Sequence, residues 1–229
     1  VRGKRFLKAP QKKLATQFGF AAAALNNLAS RAGLARHMSR VILGDARDPL
    51  DWLPSGFDAF HTEFAPLQAD NLAQALLTSG TLPLIMQPVR NLRHAPAGTY
   101  WDGGLIDYHL ALPYANLLQR GENQLVLYPH FDSRIVPGWF DKALPWRRAL
   151  PVQQRTWLDN VILLSPSSTF VQSLPRQKLP DRQDFLFHGQ QHATRIRDWQ
   201  QAIQAGAQLR DALQAFIAKP DMGLVEALN

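Results

Sequence analysis

Two blocks, QLVLYPHF (residues 124–131) and NVILLSPS (residues 160–167), stay apolar for about the length of one strand each and then close on proline or serine. A strand with one wet face alternates between apolar and polar residues, whereas a strand covered on both faces does not. The blocks therefore predict a mainly parallel sheet lying between helices, a three-layer α/β/α sandwich. The segment LALPYANLLQRGEN before the first block supplies a crossover helix ended by Gly121. Residues 14–38 are Ala-rich and read as a helix with Gly19 and Gly33 as weak points. Residues 192–219 space Ile196, Trp199, Ile203, Leu209, Leu213, Phe216 and Ile217 for one long helix that Pro220 closes.

Shorter elements complete the pattern. Residues 57–64, FDAFHTEF, alternate as a strand does, and Asp70 is placed to cap a helix over residues 71–78 that Ser79-Gly80 ends. Residues 81–89, TLPLIMQPV, are apolar but interrupted by Pro83 and Pro88, so they read as a buried connection rather than a central strand. With 229 residues, 46% hydrophobic and 19% charged, the chain can bury the core of one domain. No apolar run reaches the roughly 20 residues that span a bilayer, and the absence of cysteine excludes disulfides and thiolate metal sites. The opening VRGKRFLKAPQKK lacks both a starting Met and the apolar middle of a signal peptide, and reads as a processing or other boundary. The expected location is soluble or peripheral to a membrane, with the cytoplasm ranked first.

The net charge of +7 is concentrated at one end: residues 1–40 hold nine Lys/Arg and no acid, leaving 16 basic against 18 acidic residues elsewhere. Such a patch attracts phosphate on nucleic acid or on lipid headgroups. No nucleic-acid-binding motif accompanies it, so a solvated segment ranks first and no nucleic-acid partner is expected. A second basic stretch, within residues 131–157, interleaves Phe131, Trp139, Phe140 and Trp146 with Arg134, Lys142, Arg147 and Arg148. That composition suits a lipid interface, with rings at headgroup level and cations toward phosphate; a loop whose aromatics complete the core fits equally well.

The segment TYWDGGLIDYHL places an acid, Asp102, between two aromatics and two glycines before returning to apolar residues. A carboxylate in such surroundings needs a partner or a task. Gly103 and Gly104 allow a tight turn, through positive φ or close approach. If residues 99–101 end a strand, Asp102 stands on the rim where sheets of this type react. A plain Asx turn, with the acid capping its own loop, is the competing reading. Asp107 and His109 lie too close along the chain to complete a triad and are expected to pack or cap. Among His61, His130, His188 and His192, the 188/192 pair has helical metal-ligand spacing, but no third ligand strengthens it.

The order ADNLAQALLTSGTLPLIMQPV, then YWDGGLIDYHL, resembles the patatin-like phospholipases over about residues 57–130. The resemblance implies a lipid acyl hydrolase with a Ser-Asp dyad, no cofactor and no metal, in which Asp102 is the general base and Gly103 and Gly104 shape its turn. The family's Gly-x-Ser-x-Gly nucleophile motif does not occur in the chain, and Ser30, Ser55 and Ser79 lack its paired glycines. The chain is therefore expected to be the C-terminal portion of a single, incomplete patatin-like α/β domain, inactive without an N-terminal portion that brings the nucleophile. A non-catalytic α/β protein that binds lipid or a partner is the alternative.

Overall fold

A computed structural model of the chain describes residues 1–8, 13–120, 124–147 and 150–228. Its architecture is mixed α/β and divides into two compact units. Gly121 and Arg148 lie outside the described residues, so neither the expected helix end nor the expected headgroup contact at those positions bears on the fold.

The first unit comprises residues 1–126 and 134–161. Its strands are β1 (Arg2–Gly3), β2 (Met38–Gly44), β3 (Thr62–Pro66), β4 (Val89–Arg90) and β5 (Thr99–Tyr100), ordered β3-β2-β1-β5-β4. Strand β1 is antiparallel to both β2 and β5, β4 is antiparallel to β5, and β2 is parallel to β3. The sheet is thus mixed, where the sequence predicted a mainly parallel one. The two apolar blocks behind that expectation do form strands, but they do not join this sheet. Even so, β2, β3 and β5 all point the same way, because β2 and β5 flank one strand that opposes both.

Successive residues of β5 face opposite sides, as strand geometry requires. Trp101, just beyond it, joins Leu7, Phe20, Ala23, Leu34, Met38, Phe60, Leu105 and Ile106 in the main core. Tyr100 joins Val89 and Leu92 in a smaller cluster against which Ala75 packs. Helix α1 (Lys13–Ala29) supplies Phe20 and Ala23 to the first cluster, and helix α3 (Leu72–Ser79) supplies Ala75 to the second. Between them, Ser30 ends α1's run and caps the short α2 (Arg31–Leu34), its Oγ accepting the Gly33 N–H at 2.9 Å. The long helix expected over 14–38 is therefore two helices followed by a strand. Gly19 is not a weak point within it: a Cβ there would come within 2.8 Å of the Leu7 side chain, so the residue's smallness lets Leu7 pack.

Four local expectations change. The strand predicted over 57–64 begins only at Thr62, since residues 57–60 bend around the Asp58 carboxylate, which accepts the Phe60 N–H. Asp70 does not cap α3 but pairs with His94 and Arg93, while Asn71 precedes the helix and ties Gln68, Pro66 and Arg93 together. Residues after Thr81 do form a connection, yet Leu82, Leu84, Ile85 and Met86 are exposed rather than buried. Past β5, Tyr114–Arg120 is a 3₁₀ helix rather than an α-helix, anchored where Tyr114 stacks on Trp52 with centroids 5.6 Å apart. A one-turn helix α4 (Val152–Arg155) lies near the unit's end.

The second unit comprises residues 127–133 and 162–229. The apolar blocks supply most of a two-stranded sheet, β6 (Val126–Pro129) with β7 (Val161–Leu164). The bonds Val126 N–H to Asn160 O and His130 N–H to Leu164 O advance in step, so the pair is parallel, as predicted. Neither strand is fully buried, because this sheet has two strands rather than a covered interior. Helices α5 (Ser168–Ser173), α6 (Gln183–His188) and α7 (His192–Ala218) follow. The long helix ends within one residue of the predicted stop. Asp184 organises this unit, accepting from Lys178, Arg176, the Asp181 N–H and Trp199 Nε1. Those bonds outweigh the cost of burial and hold its carboxyl well below the usual carboxylate range.

Candidate functional site

Asp102 follows β5 by two residues, at the same end of the sheet toward which β2 and β3 run. Its backbone N–H donates to Thr81 O at 3.2 Å, which brings the acid to the residue just past the end of α3. Thr81 is itself fixed, with its hydroxyl donating to Leu77 O at 2.7 Å. The chain then turns into a single 3₁₀ turn, Gly103–Leu105, whose cap is the acid: Asp102 Oδ1 accepts the Gly104 N–H at 2.7 Å.

The capping contact occupies one carboxylate oxygen. The other, Oδ2, takes no hydrogen bond from the described residues, and no described cation forms an ion pair with Asp102, which is half-buried. The two glycines contribute differently from expectation. Neither adopts positive φ. Gly103 has open space where a Cβ would stand, whereas a Cβ on Gly104 would lie 3.1 Å from Asp102 Oδ1. A methyl group at Gly104 would crowd the carboxylate, whereas one at Gly103 would not.

Asp107 and His109 pack, as the sequence suggested. The Asp107 carboxylate receives Arg40 Nε and Nη2, each at 2.7 Å. Arg40 also donates to both oxygens of Asp58 and to Thr62 Oγ1, and lies 4.4 Å above the Phe57 ring. Burial alone would lower the guanidinium's pKa, but Asp107 and Asp58 reverse that and raise it. His109 Nδ1 accepts the Val136 N–H at 2.8 Å and is buried. Sequence reading passed over Arg40. Its signal was an arginine inside the apolar run MSRVILG, where a charge must find partners.

The exposed Leu82, Leu84, Ile85 and Met86 continue directly from Thr81, whose carbonyl accepts the Asp102 N–H. Leu84 holds φ at +66°, a left-handed conformation that costs a bulky residue about 1 kcal/mol or more. Six residues after the acid, Tyr108 Oη accepts from Lys142 Nζ at 3.0 Å, and that ammonium sits 4.5 Å over the Tyr108 ring.

The candidate serines lie elsewhere: Ser30 caps α2, Ser55 is exposed in a turn and Ser79 ends α3. The aromatic and basic loop divides by role. Trp139 and Trp146 are exposed, Phe140 packs against the main core, and Arg147 donates to Asn27 O and Leu28 O. His188 ends α6 and faces Asp198 at 3.4 Å, while His192 opens α7. Among the described residues no His, Asp and Glu cluster suited to a metal ion forms, and no helix is long and apolar enough to cross a membrane. Compared with family models, curated proteins and solved structures, the chain has no match.

Proposed function

We propose that this chain is the base-bearing portion of a patatin-like lipid acyl hydrolase, built as a three-layer α/β/α sandwich that another stretch of polypeptide completes. The observation that carries the reading is the state of Asp102: a half-buried carboxylate beyond the end of β5, with Oδ1 held by the Gly104 N–H and Oδ2 unbonded among the described residues. A general base needs both properties, a fixed orientation and an oxygen left open to accept a proton.

In this reading a serine supplied by the nucleophile-bearing segment gives its proton to Oδ2 as its oxygen adds to the ester carbonyl. The alcohol then leaves with that proton, and a water molecule, deprotonated by the same carboxylate, releases the fatty acid from the serine. No cofactor or metal enters. The chain by itself has no Gly-x-Ser-x-Gly motif, which favours a second reading for the isolated polypeptide, a non-catalytic α/β protein that binds lipid or a partner.

Ester hydrolysis by the gene product that contains this chain, compared with its Asp102→Asn variant, tests the assignment. The variant is expected to lose about 10²- to 10⁴-fold in kcat with little change in KM. Equal rates in the two proteins would end the base assignment.

A further inference from the structure

Helix α1 is apolar on two opposite sides. Thr16, Gly19, Phe20, Ala23 and Asn27 are buried on the side that supplies Phe20 and Ala23 to the main core. Leu14, Phe18, Ala21, Leu25 and Leu28 alternate at spacings of four and three, which places them within an arc of about 80° at about 100° per residue. That arc lies opposite the buried one, and its large members are 76, 59, 66 and 50% exposed for Leu14, Phe18, Leu25 and Leu28. Phe6 extends the stripe by meeting Phe18 edge to face at 4.9 Å and is itself exposed. A surface helix needs one apolar stripe to hold it to its core, and a second stripe needs something else to cover it.

Charge decides what covers it. The exposed cations Arg5, Lys8, Lys13 and Arg36 belong to the same N-terminal stretch, and residues 1–40 contain no acid. Two copies joined seam to seam would bring those like charges together. Anionic headgroups would neutralise them while the acyl boundary takes the leucines and phenylalanines. The structure also joins two signals that lie far apart in sequence: Arg147 reaches the α1 carbonyls of Asn27 and Leu28, which brings its neighbour Trp146, 71% exposed, to the end of the same helix. Tryptophan at such a boundary sits at headgroup level.

We infer that the outer face of α1, extended by Phe6 and Trp146, is a docking surface for an anionic lipid bilayer. It is independent of the role of Asp102, and its cations are those of the N-terminal stretch rather than Arg147, which is committed to the helix end.

Co-sedimentation of the 229-residue chain with phosphatidylcholine vesicles, with and without phosphatidylserine, tests this. Binding is expected only with phosphatidylserine present and should weaken as salt rises. The Leu14→Glu/Leu25→Glu variant should lose about ten-fold or more of that binding, with an unchanged circular-dichroism melting curve because both side chains are exposed. A control with equal added charge, Leu186→Glu/Ile203→Glu, should bind as the parent does. Absence of binding, equal loss in both variants, or a concentration-dependent dimer that only Leu14→Glu/Leu25→Glu dissolves would overturn the proposal, the last by assigning the face to a second copy.

Discussion

The Arg40 guanidinium and the Asp107 carboxylate meet in a two-pronged pair, Nε and Nη2 each 2.7 Å from one oxygen. The pair joins β2 to the segment five residues beyond Asp102, and the remaining donors of Arg40 go to Asp58 and Thr62. With both partners nearly buried, removing the cation leaves two facing carboxylates without the guanidinium that bonds them both. Arg40→Ala should therefore destabilise the fold by about 3–5 kcal/mol in urea unfolding. Asp58→Asn and Asp107→Asn each break one half of the cluster, but only Asp107 follows the turn. Amide exchange at Gly104 should accelerate in Asp107→Asn and stay unchanged in Asp58→Asn.

The two glycines after Asp102 differ in what an added methyl group would meet. Gly103→Ala places it in open space on a backbone that alanine adopts readily, so stability should stay the same or rise by up to about 1 kcal/mol. Gly104→Ala sets it 3.1 Å from Asp102 Oδ1, and either the carboxylate or the turn must give way. Carboxyl ¹³C spectra of Asp102 should shift in the second variant and not in the first.

Much of this arrangement was legible in the residues, for identifiable reasons. The long final helix was readable because its signals are local: apolar spacing inside it and a proline just past its end. The acid's place after a strand was readable from the abrupt change at TYWDGG. The mixed sheet was not, because β1 contributes only Arg2 and Gly3, too few residues for any periodicity, yet its insertion between β2 and β5 sets the order of the whole sheet. The Arg40 cluster was hidden for another reason: its acids lie 18 and 67 residues away, and nothing local pairs them. Asp70 shows the opposite error, a residue type suited to capping that long-range contacts with Arg93 and His94 claimed first.

His37 should make stability fall as pH drops below neutrality. It is buried, and desolvation first, then the Arg5 and Arg36 charges, lower its pKa from the ordinary 6.5. Its Nε2 faces Asn26 Nδ2 at 3.0 Å, and since Nδ2 can only donate, Nε2 accepts and the neutral ring is favoured. Between 6.5 and the lower native value the unfolded chain binds the proton and the folded chain does not. Stability from this group is thus complete above 6.5 and declines as pH falls through that window. His37→Gln, which keeps an acceptor for Asn26, should flatten this part of the profile in urea titrations at stepped pH. Identical slopes in both proteins would remove His37 as the cause.

Asp141 holds the aromatic loop to α1. It is fully buried and accepts from Asn27 Nδ2 at 2.9 Å, from Arg31, and from Arg147 at 3.5 Å. Arg31 Nη2 continues to Ile106 O at 2.8 Å, so the same carboxylate supports the residue that follows the Asp-Gly-Gly turn. Replacing it by alanine leaves two cations close together with no acid between them. Asp141→Ala should cost about 3–5 kcal/mol, and its local signature should be release of Trp139–Ala143 from the helix. Limited trypsin digestion at Lys142 and Arg147 should then quicken at a denaturant concentration where both proteins remain folded. Asp141→Asn, which keeps one acceptor oxygen and loses the charge, should fall between the two. If cleavage at those residues is no faster in Asp141→Ala, the loop is held by Phe140 in the core rather than by the carboxylate.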